Sequence, residues 1–145
     1  MIQIRKMEKK DILQVADLEQ QIFSEPWSQK GFLDVVDRPD VLFLVAEENN
    51  IIAGYSGVYL AADEGEITNV AVALWARRKG IATRLLEIMK KRLQQQGIVK
   101  IILEVRVSNQ PALLFYQKEG FQTEGTRKHF YQKPVEDAYI MICPL

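Results

Sequence analysis

The stretch Arg77-Arg78-Lys79-Gly80-Ile81-Ala82-Thr83 has the composition of a phosphate cradle. It follows a β-like run ending at Val72 and leads into an amphipathic run, so free backbone N–H groups and the positive end of a helix dipole meet at its glycine. Gly80 and Ala82 leave room for a ligand to approach the backbone, and the cations at 77, 78 and 79 add charge at the mouth. The pattern is neither a dinucleotide fingerprint, which needs further glycines, nor a P-loop. Alone, it also describes a basic helix start with a turn glycine.

Ile101-Ile102-Leu103-Glu104-Val105 sets one carboxylate inside an apolar run. Such a carboxylate either meets a partner or lines a cleft with a raised pKa. Arg106, two residues on and facing the same side, is the available partner. Acids perturbed in clefts are candidates for proton transfer. Tyr116, in Leu114-Phe115-Tyr116-Gln117, is either a packing aromatic or a proton donor. Acylation of an amine uses both groups: the amine must lose a proton to attack, and a departing thiolate is helped by gaining one.

These residues need elements to hold them. Ile2 and Ile4 alternate as in a strand, and Ile12, Val15, Ala16, Ile22 and Phe23 recur at helical spacing. After a loop from Phe23 to Ser28, Ser28 caps a second helix carrying Phe32, Leu33, Val35 and Val36, which stops before Pro39. Val41 to Ala46 and Ile51 to Leu60 read as a hairpin turning at Asn49-Asn50, and Glu66 to Val72 completes an antiparallel meander. Ile81, Leu85, Ile88, Met89 and Leu93 mark a helix from Gly80 to Gln96, closed by Gly97. Val99 to Val105 then forms a strand parallel to the one before that helix. A short helix from Gln110 to Glu119, with Pro111 in its first turn, ends at Gly120, and Glu136 to Ile142 is a last strand.

Bulk properties exclude several function classes. A chain of 145 residues, 48% hydrophobic and 26% charged, fits one globular domain over residues 1–145. Lys plus Arg equal Asp plus Glu at 19 each, so no overall basicity argues for a nucleic-acid partner. Cys143 is the single cysteine and no Cys/His cluster has zinc spacing, so we expect no disulfide, no metal and a reducing, cytoplasmic setting. The longest aliphatic run, Val41 to Ala46, is too short for a membrane span.

The Arg77-x-x-Gly80-x-Ala82 pattern, with Asn69-Val70-Ala71-Val72 before it and Tyr116-x-x-x-Gly120-Phe121 after it, resembles the GCN5-related N-acetyltransferase (GNAT) family over essentially the whole chain. The resemblance implies an α/β (α+β) fold: a mixed central sheet of about seven strands with about four helices, an antiparallel N-terminal meander and a parallel strand pair splayed at the acetyl-CoA site. It implies acetyl-CoA as co-substrate, the backbone of Val70, Ala71 and Val72 along the pantetheine arm, and Arg77, Arg78, Lys79, Gly80, Ile81, Ala82 and Thr83 around the pyrophosphate. Asn109 would contact the cofactor, cap the following helix, or both. Glu104 would be the proton acceptor and Tyr116 the donor.

Pro26-Trp27-Ser28, Leu103-Glu104-Val105-Arg106, Ser108-Asn109 and Glu136-Asp137-Ala138 with Met141 are similar to the family branch that acetylates the N-terminal alanine of bacterial ribosomal proteins. That likeness implies a protein N-terminus, that of ribosomal protein S18, as acceptor, with direct transfer in a ternary complex. A small amine or a protein lysine is the alternative. An α-amine, with a pKa near 8 against about 10.4 for lysine, is already partly neutral at cytosolic pH. The loop Arg127-Lys128-His129-Phe130-Tyr131 resembles the substrate-side hairpin of N-terminal acetyltransferases, with Phe130 where a tyrosine is common, so any hydroxyl contact falls to Tyr131. His129 receives no role. Trp27 either lines the peptide groove or covers the core.

Overall fold

The computed structural model describes all residues from Met1 to Leu145. In chain order its elements are β1 (Gln3–Lys6), α1 (Ile12–Ile22), α2 (Gln29–Val35), β2 (Val41–Glu48), β3 (Ile51–Ala61), β4 (Glu64–Val72), α3 (Ile81–Gln95), β5 (Lys100–Arg106), α4 (Gln110–Lys118), β6 (Gln122–Gln132) and β7 (Val135–Pro144). The expected fold is present: a mixed sheet of seven strands, in the order β1-β2-β3-β4-β5-β7-β6, with four α-helices. Short 3-10 turns at Lys9–Asp11 and Leu74–Ala76 introduce α1 and follow β4. No helix is long and apolar enough to cross a membrane.

Local chemistry sets most boundaries. Ser28 Oγ accepts from the Gly31 N–H at 3.1 Å and starts α2. Asn49 and Asn50 turn the β2–β3 hairpin with φ of 54° and 67°, the left-handed values Asn tolerates. Gly97 follows α3 with φ of 82°, a conformation that carries no penalty for glycine.

The two sheet faces are covered separately. Tyr55 points toward α1 and α2, stacking edge-on against Phe32 with ring centroids 6.0 Å apart. Its neighbour Gly54 points the other way, toward α3, whose Ile81, Leu85, Leu86, Met89 and Leu93 are all buried. A side chain at Gly54 would place its Cβ 2.7 Å from the Ala71 carbonyl oxygen and 3.4 Å from Ile81 Cγ2, so glycine lets β4 and the start of α3 close on β3.

All strand pairs are antiparallel except β4 with β5, which pairs only from Glu64 to Glu66 with Lys100 to Ile102. Immediately beyond, Gly57 pairs with Asn69 and Val58 with Ile67, leaving Thr68 as the extra residue of a β-bulge. A bulge bends its strand, and here β4 leaves β5. From Ile67 to Val72 the strand keeps β3 as its only sheet partner.

One sequence expectation needs correction. The segment Arg127 to Tyr131 is not the hairpin loop; it lies within β6, opposite Glu136 to Ala138, with an irregular register between Arg127 and Tyr131, and the chain turns at Lys133-Pro134. β6 itself escaped notice because it is an edge strand exposed along almost its whole length, leaving no burial alternation to read.

We expect Gly54→Ala to lower the unfolding free energy by about 1–3 kcal/mol, the usual effect of overpacking, in urea denaturation. An unchanged midpoint would contradict the close approach of β3, β4 and α3.

Candidate active site

The cradle is built from backbone. Arg78 and Gly80 both have left-handed φ, 66° and 71°, so successive N–H groups from Lys79 into α3 turn inward as a nest. Arg84 N–H is the first to reach back, to the Gly80 carbonyl at 3.1 Å, leaving the first-turn donors of Ile81, Ala82 and Thr83 without helical acceptors. Nothing lies within 4 Å of a Cβ placed on Gly80, so glycine is required by its φ, and the space beside it is open. Arg77, Arg78 and Lys79 are exposed and take part in no ion pair; Arg77 Nε reaches the Val72 carbonyl at 3.4 Å. Thr83 Oγ1 donates to Glu119 at 3.1 Å, tying the cradle to the end of α4. Free donors, open space and unneutralised cations fit a pyrophosphate.

The gap between β4 and β5 opens into a cleft of about 520 Å³. Its lining brings together Trp27, Val70, Glu104, Asn109, Tyr116 and Tyr131, residues spread over a hundred positions of chain. Ala71, Val72 and the cradle lie outside this lining. Asn109 Oδ1 accepts from the Ala112 N–H at 3.3 Å, so it caps α4 while bordering the cleft. Trp27 packs on Phe32 and Phe43 at 5.2 and 6.1 Å between centroids and also borders the cleft.

Glu104 has an 8% exposed side chain whose Oε1 is 3.7 Å from Arg127 Nε. Burial raises its pKa above the ordinary 4.5, the nearby Glu66 carboxylate on β4 raises it further, and Arg127 opposes both. The suggested partner Arg106 does not take that role. It pairs with Glu136 at 3.1 Å, donates to the carbonyls of Pro134 and Lys133 at 2.9 and 3.0 Å, and lies 4.2 Å over the Tyr131 ring. Tyr131 is thereby fixed at the cleft wall, and burial together with Glu104 pushes its hydroxyl up to about 12. Tyr116 is 9% exposed and wedged edge-on between Phe115 and Phe121, at 5.3 and 5.5 Å. Burial holds its hydroxyl above the ordinary tyrosine value.

Glu19 is a site residue that sequence reasoning missed. It lies on the cleft lining yet is only 1% exposed. Its Oε2 accepts from the Trp27 N–H at 3.0 Å, and its Oε1 accepts from the Asn69 amide at 2.7 Å and from the Tyr55 hydroxyl. The available signal was its place on the apolar stripe Ile12, Val15, Ala16, Glu19, where a carboxylate breaks the helical pattern.

The sequence profile of the acetyltransferase (GNAT) family matches residues 12–121, and the chain belongs to that family. It is an acyltransferase, an N-acetyltransferase of the GNAT type with acetyl-CoA as co-substrate. It is 34% identical to a Bacillus subtilis protein that bears, provisionally, the name ribosomal protein bS18-alanine N-acetyltransferase, over 95% of this chain and 92% of that one. Identity to the Escherichia coli ribosomal protein bS18-alanine N-acetyltransferase is 30%, over 98% and 97% of the two chains. The crystal structure of the ribosomal-protein-S18-alanine N-acetyltransferase from Escherichia coli matches with a TM-score of 0.90 at 30% identity, over 99% of this chain and 94% of that one.

Burial raises the pKa of Glu19 above 4.5, outweighing its three donors. Its contribution to stability is therefore complete below 4.5 and is lost as pH rises through the higher folded value. In denaturation series across pH, Glu19→Gln should flatten that decline, and an identical pH slope in both proteins would refute it.

Proposed function

We propose that this acetyltransferase modifies the α-amine of a protein N-terminus, that of the N-terminal alanine of ribosomal protein S18, by direct transfer in a ternary complex. The observation that carries the proposal is the meeting of Glu104 and Tyr116 on one cleft with the free edge of β4 at Val70. Relatives named for S18-alanine acetylation, similar over nearly the whole chain, support the choice of acceptor.

Acetyl-CoA supplies an acyl group activated as a thioester. In this proposal the nest from Lys79 to Thr83, with Arg77 and Arg78, holds the pyrophosphate, and Val70, Ala71 and Val72 offer backbone groups to the pantetheine arm. Asn109 contacts the same arm from the start of α4. Trp27 and Tyr131 flank the acceptor. Glu104 is the general base: its carboxylate takes the proton that the amine loses as the new C–N bond forms. An α-amine needs only a modest base, because its pKa near 8 leaves a neutral fraction that a lysine near 10.4 lacks. Tyr116 is the general acid, keeping a proton at Oη for the sulfur that departs as the C–S bond breaks.

Incubation with acetyl-CoA and an S18 N-terminal peptide should give α-acetylation by mass spectrometry. Turnover of small amines or internal lysines with no α-acetylation would overturn the assignment in favour of the alternative acceptors.

Two further outcomes are expected. Glu104→Gln and Tyr116→Phe should each lower kcat/KM by about 100-fold or more, the usual contribution of one proton-transfer group. Because Glu104 must be ionised to act and is held above 4.5, activity should fall on the acid side at a pH above the ordinary carboxylate range. Glu66→Gln removes a like charge and should move that acid limb to lower pH; a limb that stays in place would exclude Glu66 as its cause.

A further inference from the structure

Glu19 is a buried carboxylate to which the proposed chemistry gives no task. Its position is unusual in another way: its donors come from three different parts of the chain. The Trp27 N–H belongs to the loop between α1 and α2, Tyr55 to β3, and Asn69 to β4 directly after the Thr68 bulge. The loop forms one wall of the cleft through Phe23, Glu25 and Trp27, and Asn69 immediately precedes Val70 on the free edge. Both walls are thus bonded to the two oxygens of one side chain.

An apolar residue would satisfy the α1 stripe equally well, but it would leave the Trp27 N–H and the Asn69 amide without acceptors. An orphaned donor pulls its segment toward water, and a loop and a bulged strand edge are the segments best able to move. The carboxylate offers two oxygens that accept from all sides, which a single backbone carbonyl cannot do.

We infer that Glu19 is a positioning residue: it holds the acceptor-side loop at Trp27 and the bulged edge of β4 at Asn69 in fixed relation across the cleft. It acts through Trp27 and Asn69 and takes no proton from substrate. The inference rests on the reading of the cleft as the place where an amine meets acetyl-CoA.

Glu19→Met keeps the length and removes both acceptors. It should raise the acceptor KM about tenfold, the effect of losing one hydrogen bond to a charged group, with kcat within about threefold of the parent. Glu19→Gln keeps one acceptor oxygen, and the Asn69 amide can turn to present its own oxygen to the new amide. That variant should stay within about threefold of the parent in KM and keep the same pH profile for kcat. Asn69→Ala, at a half-buried position, removes only the strand half of the tie and should raise KM about threefold, which keeps the test usable if Glu19→Met does not fold. The inference is overturned if KM is unchanged in Glu19→Met or in Asn69→Ala, if kcat falls with the folded fraction while KM stays constant, or if Glu19→Gln loses activity as Glu104→Gln does, which would make Glu19 a proton-transfer group. Binding of CoA to the parent protein, followed by calorimetry, and turnover of the parent on the S18 peptide test the underlying assignment separately.

Discussion

Strands β4 and β5 share a ladder only from Glu64 to Glu66 and Lys100 to Ile102, and the gap beyond determines what the rest of the structure can do. A central sheet normally buries its backbone polar groups by pairing them on both sides. Here the Thr68 bulge turns β4 away, and its outer edge from Ile67 to Val72 is left without a strand partner. The gap also decides where β5 delivers Glu104 and where α4, starting just after β5, delivers Tyr116. One local irregularity thus produces an unpaired strand edge and brings two titratable groups to the far wall of the cleft.

Charge is distributed with the same logic. Arg5 is fully engaged, between Asp11 and Glu47, and Arg106 is committed to Glu136 and the turn carbonyls. Arg77, Arg78 and Lys79 pair with no carboxylate, so the nest at α3 keeps its positive field for an anion. The acids show a matching division. Glu136 is bound by Arg106 and the Ser108 N–H and sits below the ordinary carboxylate range, whereas Glu104 and Glu19, taken out of water, sit above it. Structural ion pairs hold the hairpin and the N-terminus, and the acids raised by burial line the cleft.

Elements with a one-sided burial pattern were legible in the sequence. The helix at Ile81, Leu85, Ile88, Met89 and Leu93, the Ser28 cap, the Asn49-Asn50 turn and the parallel crossover into β5 all follow from periodicity and local backbone preference, and all stand in the structure. β6 was not legible, because an exposed edge strand has no apolar face, so Arg127 to Tyr131 look like a loop in the sequence and are strand in the structure. Alternation offers Arg106 as a partner for Glu104, the alternative to a cleft position. The Arg106 side chain instead turns to the β6–β7 turn, a neighbour that only strand order supplies.

What the sequence showed by itself was a glycine turn with three cations at a helix start and a lone carboxylate in an apolar strand, since both depend on residue types within a few positions; the candidacy of Tyr116 came from the family resemblance. What only the tertiary structure decided was how Glu104 and Tyr116 come to one cleft and what surrounds them: the bulge that parts β4 from β5, the Glu66 and Arg127 charges around Glu104, and the tie from Glu19 to Trp27 and Asn69. These join residues 8 to 50 positions apart in the case of Glu19, and separations of that kind leave no periodic trace. Local spacing is written in the chain because helices and strands repeat over a few residues, whereas contacts across a cleft exist only once the sheet has closed around it.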